Sequence, residues 1–247
     1  MYIASNASLL LKMTCLLSCL FTIGVCSVAQ AQETLDLVLI DESFASEEIP
    51  KSWQGGGRKG SFTIVDGHLR GVANPDDSHG SSIGVPISAK DVTIEFDVKF
   101  AKRNGYFLFL LDGDSQFQGQ AHLLRCALTS KYIQLSQDRG DPKSKTAQKK
   151  QRDANGGKRT KPTKEELDDP SFYRVEALTR QKVTVNDGQW HHVKIDVTAN
   201  KVTAWLDKGD AIEATGTVLN VPKSRLVFLV GQSGDIRIDN VKLLKHK

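Results

Sequence analysis

Trp190-His191-His192-Val193-Lys194-Ile195-Asp196-Val197-Thr198 runs into Ala199-Asn200 and returns through Lys201-Val202-Thr203-Ala204-Trp205-Leu206-Asp207. Successive side chains of a strand point to opposite faces. With Ala199-Asn200 as a two-residue turn, Val193 faces Leu206, Ile195 faces Ala204 and Val197 faces Val202. One side of the ribbon is then wholly apolar. The other pairs His192 with Asp207, Lys194 with Trp205 and Asp196 with Thr203. A slip of one residue would mix the two sets, so the pattern fixes both the hairpin and its register. By the same parity His191 joins the apolar side, as a packed and hydrogen-bonded histidine.

The same alternation recurs along the chain. Thr93-Ile94-Glu95-Phe96-Asp97-Val98-Lys99-Phe100 puts Ile94, Phe96, Val98 and Phe100 on one face. Gly105 to Leu111 is apolar on both faces, as a central strand is. His122 to Leu128, Tyr132 to Gln137 and Phe172 to Leu178 read as further strands. Turns at Asp66-Gly67, Asn104-Gly105, Asp112-Gly113, Asn186-Asp187-Gly188 and Lys208-Gly209-Asp210 separate such runs. Many short strands with regular turns predict an all-β fold, a two-sheet antiparallel jelly-roll sandwich. Helix signals are scarce. Thr163-Lys164-Glu165-Glu166 is a capping box, and Pro170 stops what it starts.

Charge is distributed unevenly. The chain of 247 residues carries a formal +4, yet between Arg139 and Lys164 ten Lys or Arg meet only Asp141 and Asp153. The remainder is mildly acidic. Residues 140–164 contain Gly156-Gly157 and almost nothing apolar, which predicts one long, flexible basic loop inserted between two strands. Its functional expectation is docking onto an anionic polymer such as sulfated polysaccharide or an anionic envelope surface. Nucleic acid is not expected, because no aromatic residues interleave the charges for base stacking.

The N-terminus carries Lys12, an apolar run from Met13 to Val25, and the small-x-small sequence Ala29-Gln30-Ala31. This reads as a signal peptide over 1–31, leaving 32–247 as a single domain that is secreted or periplasmic in a bacterial cell. The apolar run is short for a membrane span, and no other is longer. Three of the four cysteines, Cys15, Cys19 and Cys26, fall in the signal. Cys126 alone can form neither an internal disulfide nor a cysteine-ligated metal site, and its apolar neighbours make it a packed thiol.

The polar face of the opening hairpin is the first candidate site. An indole beside fixed charged groups suits a sugar, whose C–H face stacks on aromatics while its hydroxyls take hydrogen bonds. Trp205, His192, Asp207 and Lys194 are the expected contacts, with Arg125 and Gln134 from neighbouring strands. A solvated sheet face bearing one exposed tryptophan is the alternative.

Trp190 to Ile195 leading into Trp205-Leu206-Asp207, and the closing strand Asp235 to Leu243, resemble the concanavalin A-like (laminin-G-like) jelly-roll superfamily. Within it the chain looks most like the bacterial 3-keto-disaccharide hydrolase family. The carriers are Phe44 and Trp53, the turn Val65-Asp66-Gly67-His68-Leu69, and Arg103-Asn104-Gly105-Tyr106-Phe107. The resemblance covers roughly residues 40–245 and implies the sandwich fold and a carbohydrate ligand. It also implies a possible glycoside hydrolase of the 3-keto-disaccharide type, with Glu95 or Asp97 as general base and His192 as acid or ligand.

Two departures bear on catalysis. The Asn104-Gly105 element lacks the serine that the family carries between those residues. Laminarinase-type relatives carry acid–x–acid–x–x–acid on one strand; Glu95-Phe96-Asp97 supplies the first two, but Phe100 stands third. Three readings therefore stay open: a binding module, a 3-keto-glycoside hydrolase, and a structural or adhesive envelope protein docking through its basic loop. No cofactor and no metal are expected. Calcium, an accessory of laminin-G-like domains, would have Asp112-Gly113-Asp114-Ser115, which lacks the remaining ligands of a calcium loop.

Overall fold

A computed structural model describes residues 36–55, 61–73, 80–101, 105–113, 122–158, 160–185, 188–231 and 234–247. The expected signal peptide, Asn104 of the Asn-Gly element, and Asp114 and Ser115 of the candidate calcium turn lie outside them. All described residues belong to one unit, Thr34–Lys247.

Fifteen strands occur among the described residues: β1 (Leu37–Glu42), β2 (Gln54–Gly55), β3 (Ser61–Val65), β4 (His68–Val72), β5 (Ser81–Ala89), β6 (Val92–Phe100), β7 (Tyr106–Gly113), β8 (His122–Thr129), β9 (Tyr132–Arg139), β10 (Arg174–Lys182), β11 (Trp190–Thr198), β12 (Lys201–Leu206), β13 (Ile212–Thr215), β14 (Lys223–Val230) and β15 (Asp235–Lys245). They form two antiparallel sheets. Sheet A runs β13-β12-β11-β6-β15-β4-β3, with β1 also on β15; sheet B runs β10-β9-β8-β7-β14-β5-β2. This is the expected jelly-roll sandwich. The opening hairpin forms in the expected register, with Val193 opposite Leu206, Lys194 opposite Trp205 and Val197 opposite Val202.

The inner faces meet in an aromatic core. Phe96 of β6 and Phe228 of β14 lie 5.3 Å apart edge to face, and Trp53 stacks on Phe228 at 5.7 Å. Ile94, Phe96, Val98 and Phe100 are all 0–1% exposed, as the alternation of β6 requires. Each such side chain contributes about 1.5–3 kcal/mol of burial, which makes this strand a main anchor between the sheets.

The basic insertion differs from the expectation of a flexible loop. It folds into α1 (Pro142–Ala154) and the single turn α2 (Lys164–Asp168). Asp141 caps α1 by accepting from the Lys143 amide, and Pro142 fills its first turn, where a missing N–H costs nothing. Lys, Gln, Arg and Ala are good helix formers, and Asn155 with Gly156 and Gly157, both at positive φ, ends the helix. At the entrance Gly140 sits at φ +96, where an added Cβ would meet the Phe172 carbonyl oxygen at 2.4 Å. Only glycine lets the chain pass this close on its way from β9 into the helix. The capping box at Thr163 and Glu166 forms as expected. The next strand starts at Arg174 rather than Phe172, since the Phe172 amide turns back to the Asp169 carbonyl and Tyr173 holds α1.

Candidate functional site

The outward face of sheet A holds most of the candidates read from sequence, and they are engaged with one another. His192 Nδ1 lies 2.8 Å from Asp97, which also accepts from Asn240 Nδ2 at 2.8 Å. Lys194 Nζ reaches Glu95 at 3.0 Å and lies 6.0 Å from the ring centre of Trp205. Glu95 and Asp97 thus share a face with His192, Lys194 and Trp205, each carboxylate held by a neighbour. Nearby, Trp190 packs edge-on to His68 at 4.9 Å, and His68 Nδ1 meets Asp239 at 3.1 Å. The face is open along its length: the side chains of His192 and Lys194 are 48% and 44% exposed.

Two expectations for this face are corrected. Asp207 pairs with His192 through the backbone, as expected, but its carboxylate does not take the His192 ring, which goes to Asp97. Asp207 sits in the turn after β12 at φ +53, and its carboxylate swings to His191 Nδ1 at 2.8 Å and accepts from the His192 amide at 2.8 Å. A left-handed turn residue leaves the strand's alternation, so parity no longer places its side chain. His191 is buried and paired, as expected. Arg125 and Gln134 lie on β8 and β9 of sheet B, the opposite side of the sandwich, and share no surface with Trp205.

The outward face of sheet B is built differently. Leu108, Leu110, Ala127 and Val227 point away from the main core yet form a second buried apolar cluster, with Tyr106 and Leu229 packed against it. Across the sheet Val227, Leu110, Arg125 and Ser136 occupy one row, and Leu108, Ala127 and Gln134 the next. These outward-facing apolar residues are 2–7% exposed, covered by the side chains around them, in contrast to the open face of sheet A.

A polar group stands on this bed. Asp138 of β9 is 1% exposed. It accepts from Arg125 Nε at 2.7 Å and the Tyr173 hydroxyl at 2.9 Å, and Lys145 Nζ of α1 lies 3.5 Å away. A carboxylate so far from water persists only when paired and hydrogen-bonded. Burial, and then Asp138, push the Tyr173 phenol above its ordinary range. Burial likewise raises the Tyr106 phenol, with Arg125 opposing the rise and Tyr132 adding to it. At the same end of the sheet His122 Nδ1 lies 2.5 Å from Asp112. Gln134 accepts from Arg180 Nε at 2.7 Å, and the Arg180 guanidinium covers the Tyr132 ring at 4.4 Å.

Helix α1 is docked onto this group by polar contacts alone. Ser144 Oγ accepts from the Tyr173 amide at 3.0 Å, Gln148 Nε2 donates to the Tyr173 carbonyl at 2.9 Å, and Lys145 Nζ lies 4.7 Å from the Tyr173 ring centre. The basic insertion therefore packs against one side of this face. The chain has four tyrosines. Tyr2 is outside the described residues; Tyr173 meets Arg125 and Asp138, Tyr132 lies under the Arg180 guanidinium that Gln134 holds, and Tyr106 packs against the apolar cluster.

Sequence reasoning singled out Arg125 and Gln134 but not Asp138, Tyr173, Lys145, His122 or Asp112 as partners. Strand parity could have set Arg125 opposite Leu124 and Cys126, and Asp138 on the same side as Gln134. Asp141-Pro142 followed by Asn155-Gly156-Gly157 was the available signal for the helix. Among the described residues no three His, Cys, Asp or Glu side chains converge as metal ligands. Asp112 of the candidate calcium turn is taken up by His122.

A separate cleft of about 630 Å³ lies between β1 and β5, lined by residues including Ile40, Glu42, Trp53 and Val85, and shares no residue with either sheet face described above.

A family model described as a 3-keto-alpha-glucoside-1,2-lyase-like domain matches residues 42–244. No curated protein matches the chain in sequence. Among solved structures the chain is similar to the laminarinase from Rhodothermus marinus, with a TM-score of 0.57 and 10% identity over 85% of this chain and 98% of that one. It is similar to the carbohydrate-binding module CBM66 from Bacillus subtilis, with a TM-score of 0.51 and 12% identity over 78% and 96%. It also resembles the Bacillus licheniformis beta-glucanase, with a TM-score of 0.55 and 9% identity over 84% and 98%. At these identities the likeness is one of fold.

Proposed function

The chain belongs to the 3-keto-alpha-glucoside-1,2-lyase-like domain family, and from that premise we propose that it is an exported protein that binds an oligosaccharide on the outward face of sheet B. The observation that carries this reading is that one sheet face presents Tyr173 with Arg125 at Asp138, Tyr132 with Arg180 at Gln134, and Tyr106 packed against the buried apolar cluster between them. Aromatic rings offer faces to sugar C–H groups, and Arg, Gln and phenol groups offer directional partners to hydroxyls. The ordering of Arg125 by Asp138 lowers the cost of fixing a long side chain on binding. Export rests on the signal read over residues 1–31; no helix among the described residues is long and apolar enough to cross a membrane.

The test is calorimetric titration of the purified protein with β-glucan oligosaccharides and with a 3-keto-disaccharide beside its parent. Tyr106→Ala and Gln134→Ala should each weaken binding about tenfold, a loss of one good contact, while Trp205→Ala leaves it unchanged. Binding that depends on Trp205 and not on Tyr106 or Gln134 would return the site to sheet A.

A second reading, turnover, is favoured by His122 and Asp112. An imidazole held by a carboxylate at 2.5 Å, both partly exposed and at the Arg125 end of the face, is arranged as an oriented base. In a 3-keto-glycoside the ketone acidifies the C2 proton. Transfer of that proton to His122 forms an enolate, the C1=C2 double bond then forms as the C1–O bond breaks, the leaving oxygen takes the proton back from His122, and Arg125 supplies positive charge toward the enolate. Release of the C1 substituent by the wild type, abolished in His122→Gln and intact in Glu95→Gln and Asp97→Asn, supports it. Loss in the Glu95 or Asp97 variant alone would restore the catalytic assignment to sheet A.

A further inference from the structure

We infer, resting on the reading that the outward face of sheet B holds the sugar, that the sugar is an anionic oligosaccharide bearing uronate or sulfate groups, and that α1 is the wall that selects it. The argument begins with how α1 is oriented. Ser144 and Gln148 are pinned to Tyr173, and Lys145 reaches Asp138. Residues three and four apart share a helix face, so Lys145, Lys149 and Arg152 form one stripe on the docked side of Gln148. Lys143 and Lys150 fall on the opposite side.

Charge balance distinguishes the two outward faces. Sheet A carries matched ion pairs, Lys194 with Glu95, Arg70 with Asp235 and Arg237 with Asp66. On the sheet B side Asp138 is paired with Arg125, Glu176 with Arg139, and Asp112 lies against His122. Arg180 and Arg225 donate to the neutral oxygens of Gln134 and Gln54. On the α1 stripe Lys145 reaches Asp138, and Lys149 pairs with Asp153 at 2.6 Å in full solvent, where such exposed pairs hold weakly. Arg125 and Lys145 thus share one carboxylate while Arg180 and Arg225 donate to neutral oxygens, so the described side chains on this side carry more cationic than anionic charge. Such an excess draws anions to the surface that bears it.

The experiment titrates the purified protein with hexasaccharides of three kinds, a neutral β-glucan, an oligogalacturonate and a sulfated galactan, and with a single-stranded DNA hexamer, at 50 and 200 mM salt. One anionic hexasaccharide should bind about tenfold or more tightly than the neutral one at low salt, with the advantage shrinking at high salt as screening shortens its reach. Which of the two binds distinguishes carboxylate from sulfate. The double variant Lys149→Gln, Arg152→Gln should lose the anionic preference and keep the neutral affinity. Equal affinity for neutral and anionic sugars, a preference that survives the double variant, or DNA binding as tight as the best sugar would each overturn the inference while leaving the site reading intact. Failure of every sugar to bind would overturn both.

Discussion

The Tyr173 hydroxyl donates to the Asp138 carboxylate at 2.9 Å while the Tyr173 backbone takes Ser144 and gives its carbonyl to Gln148. One residue therefore ties the basic helix to a buried charge on the sheet. Without this tie α1 would have no apolar reason to stay, because its sequence has no hydrophobic stripe.

The paired variant Ser144→Ala, Gln148→Ala removes the two contacts to the Tyr173 backbone and leaves the sandwich core alone. Limited trypsin digestion should then cut within Lys145–Arg152 at least about tenfold faster than in the wild type, since cleavage of a locally opened segment tracks its opening free energy. Global unfolding in urea should be nearly unchanged. Unchanged trypsin resistance would show that something else holds the helix.

Removing Arg125 leaves Asp138 charged and buried with weaker partners. Arg125→Met should destabilise the fold by about 3 kcal/mol, the usual penalty for orphaning one member of a buried pair. Arg125→Met with Asp138→Asn should recover much of that loss in the same urea titration. An unrecovered double variant would mean that the cost arises from packing rather than charge.

Cys126 lies 2% exposed between Phe109 and Leu135 on neighbouring strands, and burial pushes its thiol up to about 12. Iodoacetamide at pH 8 should leave it unmodified in the native protein and alkylate it in urea, because the thiolate is the reactive form. Rapid native labelling would contradict the packing around β8.

Lys223 is buried at the start of β14, donating to the carbonyls of Lys90 and Leu219, and burial lowers its ammonium to about 8 from 10.5. Between those values the unfolded chain binds the extra proton, so stability rises with pH across that window. From pH 7.5 to 9.5 the wild type should gain on the order of 1 kcal/mol relative to Lys223→Met in urea unfolding. Parallel pH profiles would refute this.

The hairpin, its register and the sandwich were legible because alternation of period two survives along β6, β11 and β12, and because Ala199-Asn200 left one turn to choose. The same alternation says which residues face outward but not which outward residues are covered. That depends on neighbours brought in from distant strands, such as Val227 beside Leu110. Hence Trp205 and Lys194 drew attention on the open face, while Asp138 and Tyr173 passed as ordinary. Arg125 and Gln134 were singled out, but sequence could not say that they stand on the other sheet. Helix α1 was obscured because its docking is polar, and Asp207 because a left-handed turn takes a side chain out of strand parity.

The site can be located directly from aromatic resonances. The chain holds four tyrosines and three tryptophans, and those described divide between the two faces, with Trp53 in the core. NMR of protein carrying labelled tyrosine and tryptophan, titrated with the tightest-binding oligosaccharide, should shift Tyr106, Tyr132 and Tyr173 while Trp190 and Trp205 stay in place. Shifts of Trp190 and Trp205 with the three tyrosines unmoved would contradict a sugar site on sheet B.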